Sequence, residues 1–236
     1  MAKQSNRPVT FTTGVGVLEP YAYLTKPDYG NEAKGFGNPR GVYKASLTLP
    51  NDAKTQKLID DIVAIHEAAY GEAKEAYEAN PPQVARGKKP LLPYEGDLPF
   101  FDNGDGTTTF KFSGYASYTD KKTGENVAII LRLYDSRGVE IKDVPAFIAG
   151  GSELKFKFKA LPYKWNQAVG ASVKLQLESV MVVSLAQGQG GDGGWGDETE
   201  EGGYQADAQR PSNGGWQNDQ DDEPQGDSGD SDDGDF

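Results

Sequence analysis

Leu154, Phe156 and Phe158 alternate with Lys155, Lys157 and Lys159, a period of two that predicts a strand with one dry face and one wet face. Tyr43, Ala45, Leu47 and Leu49 alternate in the same way with Val42, Lys44, Ser46 and Thr48, as do Phe110 and Phe112 with Thr109, Lys111 and Ser113. Further strands are predicted over 11–24, where Gly14, Gly16 and Pro20 imply a bend or bulge, over 128–134, and from Val173, Leu175 and Leu177 to near Leu185. One stretch changes period. Leu58, Ile62, Ile65, Ala69, Ala73 and Tyr77 recur at steps of three and four, which predicts one long helix from an Asn51 or Asp52 N-cap to about Ala79. Asn80-Pro81-Pro82 stops it. Residues 27–41 read as a long glycine-rich loop, 84–90 as a basic loop, and Asp102-Asn103-Gly104-Asp105-Gly106 as a hairpin turn. Roughly six strands with one inserted helix lack the alternation of a doubly wound sheet and indicate an α+β or small-barrel pattern, mainly β with one long helix.

Charge divides the chain where the periodicity ends. Residues 187–236 hold 15 Asp and Glu against the single base Arg210, while residues 1–186 hold 21 acids and 23 bases, so the total of −12 conceals a tail of −14 and a body of +2. Gly, Ser, Asn, Gln and Asp dominate the tail, which is too poor in apolar surface to offset the entropy of ordering and reads as disordered. The expected organisation is therefore a folded domain over 1–186 and an acidic tail over 187–236. The tip brings Asp232, Asp233 and Asp235 up to a terminal ring, Phe236. A flexible polyanion ending in one large apolar side chain suits a basic-rimmed apolar pocket on a partner, and its charge density lets it compete with nucleic acid for a cationic groove.

Several function classes fall away. With no cysteine there are no disulfides, thiolate nucleophiles or Cys-based metal sites. The first thirty residues lack an apolar signal core and the longest aliphatic run, 127–131, is too short to span a bilayer, so a soluble cytoplasmic protein with no membrane partner is expected. No phosphate loop, dinucleotide fingerprint or nucleophile elbow is present, and any His-based triad would need the only histidine, His66, for which a structural or surface role is expected mid-helix beside the apolar stripe. Asp97, Asp102 and Asp105 raise a carboxylate-metal nuclease as a minor alternative. A calcium loop counted from Asp102 meets Ser113 where a bidentate Glu is needed, and a hairpin turn accounts for the acids. The chain reads as a non-enzyme that needs no cofactor.

What remains is a basic and aromatic constellation. Binding unpaired strands without sequence preference needs cations along a groove and flat rings on which bases stack. Lys155, Lys157, Lys159 and Lys164 surround Tyr163 and Trp165, Lys111 lies among Phe110, Phe112 and Tyr115, and Arg40 lies beside Phe36 and Tyr43. Alternation assigns Phe110, Phe112, Phe156 and Phe158 to the core. It does not account for Tyr163 and Trp165, which follow a strand end and are the preferred stacking residues.

Several runs carry a resemblance: Glu-Pro-Tyr-Ala-Tyr at 19–23, Lys-Pro-Asp-Tyr-Gly-Asn-Glu at 26–32, Gly-Phe-Gly-Asn-Pro-Arg-Gly-Val-Tyr-Lys at 35–44, Ala-Arg-Gly-Lys-Lys-Pro at 85–90, Phe-Phe-Asp-Asn-Gly-Asp-Gly-Thr-Thr-Thr-Phe-Lys-Phe at 100–112, Pro-Tyr-Lys-Trp-Asn at 162–166 and Val-Gly-Ala-Ser-Val-Lys-Leu-Gln-Leu-Glu-Ser-Val-Met at 169–181. In these the chain resembles the single-stranded-DNA-binding proteins of short-tailed, T-seven-like bacteriophages. The resemblance implies an oligonucleotide-binding (OB) barrel with an inserted helix, a homodimer, sequence-independent binding of single-stranded DNA, and strand annealing. Roles in replication, recombination and repair in the cytoplasm of the infected bacterial host follow from it. It also implies that the acidic tail with Phe236 contacts the phage DNA polymerase and helicase-primase. Arg40, Arg86, Lys111, Tyr163 and Trp165 match groove positions of the family, and Lys164 joins Arg40, Arg86 and Lys111 as an expected phosphate contact. Ser113 stands where family members can carry a second lysine. The alternative reading is a protein-interaction adaptor whose tail does the work and whose body binds no nucleic acid.

Overall fold

The structure is a computed structural model that describes residues 9–83, 86–87 and 89–186. In chain order they form β1 (Thr10–Thr12), β2 (Gly16–Leu18), β3 (Tyr23–Asn31), β4 (Phe36–Pro50), α1 (Ala53–Ala79), β5 (Phe100–Asp102), β6 (Thr107–Tyr115), β7 (Ser117–Thr119), β8 (Asn126–Ala128), β9 (Arg132–Tyr134), β10 (Glu153–Tyr163) and β11 (Ser172–Ser184). Five of these strands pair in a circuit. β2 bonds to β4, β4 to β6, β6 to β11, β11 to β10 and β10 back to β2, and only the β6–β11 pairing is parallel. Numbered among themselves along the chain, they run in the order 1-2-3-5-4-1, the path of a five-stranded OB-type barrel. The mainly β architecture with one inserted helix is thus the one the sequence indicates.

The alternating positions supply the barrel interior. Phe110, Phe156 and Phe158 are fully buried with Leu47, Leu49, Leu154 and Leu175. Phe112 meets Phe156 and Phe158 edge to face, each pair with ring centroids 5.0 Å apart. Asp52 caps α1, its side chain accepting from the Thr55 N–H at 2.7 Å, and Asn80 closes the helix before the two prolines. The helix lays Thr55, Leu58, Ile62, His66 and Ala73 inward against β10 and β11. His66 therefore belongs to the buried stripe, and Ile65 and Ala69 lie at its half-buried border.

Three expectations are corrected. Residues 27–41 are not a loop: β3 and β4 form a hairpin there, pairing Asn31 with Phe36 and Gly30 with Gly37 around a single 3-10 turn, with Gly30, Gly35 and Gly41 at positive φ. The stretch 128–134 is not one strand, because β8 pairs with β7 while β9 joins β11. Strand 11–24 is likewise split into β1, β2 and the start of β3. The acidic tail, with Phe236, Asp235, Asp233 and Asp232, lies outside the described residues.

Candidate nucleic-acid interface

Inward burial of Phe110 and Phe112 sends Lys111, Ser113 and Tyr115 to the outer face of β6. On β4, Ser46, Lys44 and Val42 stand opposite Lys111, Ser113 and Tyr115 in turn. On β11, Leu175 pairs with Phe112 and Gln176 with Ser113, so Lys174 lies one step back, beside Lys111. On β10, Leu161 faces Lys174 and Tyr163 faces Ser172. Register alone therefore gathers Lys111, Tyr115, Lys174 and Tyr163 on one outer face.

Arg40 joins them from the start of β4. Its guanidinium carbon lies 3.7 Å from the centroid of the Tyr115 ring, and Nε and Nη2 each donate to the Ser117 carbonyl at 3.2 Å. Ser117 Oγ donates back to the Arg40 carbonyl at 3.0 Å, so the arginine is held at both ends. Lys174 Nζ lies 4.2 Å from the same ring centroid. One exposed tyrosine thus carries two cations. Burial, and then the neighbouring Arg40 charge, push the Lys174 ammonium below the usual lysine range. Lys111 Nζ sits 5.4 Å from the Phe101 ring on the adjoining β5.

Nearby acids are already engaged. Asp28 pairs with Lys44, and Glu178 pairs with Lys159 and accepts from Thr10 Oγ1 at 3.3 Å. Among the described residues no carboxylate oxygen comes within 4.0 Å of Arg40, Lys111, Lys164 or Lys174. Such a face holds uncompensated positive charge and flat rings together, which suits a polyanion with unpaired bases.

The loop from β10 to β11 carries the remaining candidates. Tyr163 is 42% exposed at the end of β10. Lys164 is exposed, and Trp165 is half-buried against α1, meeting Tyr70 and Tyr77 in edge arrangements at 6.0 Å. Arg86 is exposed in a turn with Gly87, and no described contact joins it to the Arg40 cluster. Asp102 and Asp105 are spent within their own turn, accepting from the N–H groups of Gly104 and Thr107. Lys174 is not singled out by sequence, since it occupies an ordinary wet-face position; only the register of the parallel β6–β11 pair brings it beside Lys111 and the Arg40–Tyr115 pair.

A family model described as the single-stranded DNA-binding protein of bacteriophage T7 matches residues 15–185. The chain belongs to this family. Its relatives include the single-stranded DNA-binding protein of Escherichia phage T7, 65% identical over 83% of this chain and 84% of the relative. That of Enterobacteria phage T3 is 64% identical over 86% and 88%. The crystal structure of gp2.5, a single-stranded DNA-binding protein encoded by bacteriophage T7, superposes with a TM-score of 0.69 at 58% identity, covering 85% of this chain and 99% of that one. Family membership and the barrel agree, because the OB fold presents oligonucleotides to the face of its second and third strands and to the loops beside them. Here those strands are β4 and β6; Tyr163 ends the fourth strand, and the loop from it to the fifth holds Lys164 and Trp165.

Proposed function

We propose that the chain is a non-enzymatic protein that binds single-stranded DNA without regard to sequence. The observation that carries the reading is the Tyr115 ring with Arg40 and Lys174 over it, beside Lys111, on the face where an OB barrel receives oligonucleotides. Arg40, Lys111, Lys174, Lys164 and Arg86 meet phosphates. Tyr163 offers the more open ring for a base, and Trp165 offers what α1 leaves uncovered. Its relatives' names support the ligand. In this reading the protein coats and anneals strands during phage DNA replication, recombination and repair inside the infected host. It acts as a homodimer, and Phe236 with Asp232, Asp233 and Asp235 recruits the phage polymerase and helicase-primase.

Titration with a labelled single strand and with the matching duplex tests this. Single strands are expected to bind more tightly, and Tyr163→Ala to weaken binding by about 1–3 kcal/mol for one stacked base. Equal affinity for duplex overturns the reading; an unchanged Tyr163→Ala removes that ring from the site.

A further inference from the structure

We propose that Glu95, acting through His66, is a positioning residue that holds the β10–β11 loop in its binding geometry; this rests on the function proposed above. His66 is buried to 4% exposure in the middle of α1, and its Nε2 lies 3.2 Å from the Glu95 carboxylate, to which it donates. Its ring stacks on Tyr70 at 5.9 Å, and Tyr70 meets Trp165 edge-on. The backbone around Glu95 grips the same loop from the other side. Glu95 bridges Ala171, Gly96 N–H donates to the Ala171 carbonyl at 2.8 Å, and Ala171 N–H donates to the Tyr94 carbonyl at 2.9 Å. Tyr94 Oη donates to the Asn166 carbonyl at 2.7 Å. The loop with Tyr163, Lys164 and Trp165 is thus seated between α1 and the 94–97 segment. The His66–Glu95 hydrogen bond is the side-chain tie between those two walls. If the tie is cut, the segment and the helix can separate, and the rings lose their common frame.

The sign of the effect separates this role from electrostatics. Glu95 is an acid bridged to Ala171 at the end of the β10–β11 loop, with its side chain 59% exposed, so removing its charge alone tightens binding to a polyanion. Positioning predicts the reverse. Glu95→Ala is expected to weaken single-stranded-DNA binding about five- to tenfold, while Glu95→Gln, which still accepts from His66, stays within about twofold of the parent. Trp165 emission without DNA, read in a chain carrying Trp195→Phe and Trp216→Phe, is expected to shift in Glu95→Ala and not in Glu95→Gln. An alanine variant that binds as tightly as the parent or more so, or equal losses in both variants, overturns the proposal. A parent that binds no single strand overturns the proposed function instead, and the DNA-free emission still reports on the tie.

Discussion

Tyr115 supports two cations, Arg40 and Lys174. A lysine depressed by burial and by Arg40 gives up its proton at a lower pH than a free lysine. The folded state then binds fewer protons than the unfolded state between the two pKa values. The desolvated charge therefore costs stability below the folded pKa, and the cost fades as pH rises towards the unfolded value. For DNA the sign is opposite: a phosphate needs the ammonium, so affinity falls as pH rises through the depressed pKa. Affinity measured across an alkaline pH series is expected to decline earlier for the parent than for Lys174→Arg, whose charge persists; superimposable curves would show that Lys174 carries no phosphate. The sequence revealed Arg40, Lys111 and Tyr163 through composition and resemblance. It concealed Lys174 because an alternating lysine on a strand has the same local pattern whether it faces water or a second cation.

At the level of elements, two glycines of similar appearance have opposite roles. Gly170 lies against Gly96, and a Cβ there would overlap the Gly96 nitrogen and the Glu95 carbonyl carbon. Gly71, mid-helix on α1, has open space where its Cβ would be. Gly170→Ala is expected to cost about 1–3 kcal/mol by forcing the 94–97 segment off the loop, and to weaken DNA binding with it. Gly71→Ala is expected to gain up to about 1 kcal/mol through helix propensity alone. Chemical denaturation of both variants checks the pair, and matching losses would refute the packing argument. Elements with clean periodicity, β6, β10 and α1, were legible in sequence. The β3–β4 hairpin was not, because the glycines and Pro39 that let it turn and twist locally resemble a loop, and pairing between strands overrides them.

Across the whole molecule, a body of net +2 is joined to a tail of −14. A chain ending at Ala186 is expected to bind single strands more tightly than the full chain, most strongly at low salt where a tethered polyanion competes best. Salt-series titrations of both forms check this; equal affinities at every salt concentration would leave the tail to partners alone. The charge split was legible from composition, whereas the circuit of strands was not, since no local pattern specifies that β2 returns to β10 or that β6 lies parallel to β11. That circuit also sets a timetable. During synthesis Arg40 and Lys111 emerge long before β11, and the face they share with Lys174 does not exist until the last strand has entered between β6 and β10. The barrel closes through contacts remote in sequence, the slow kind. A nascent chain therefore lacks the assembled face of the proposed function until β11, ending at Ser184, has been made and paired.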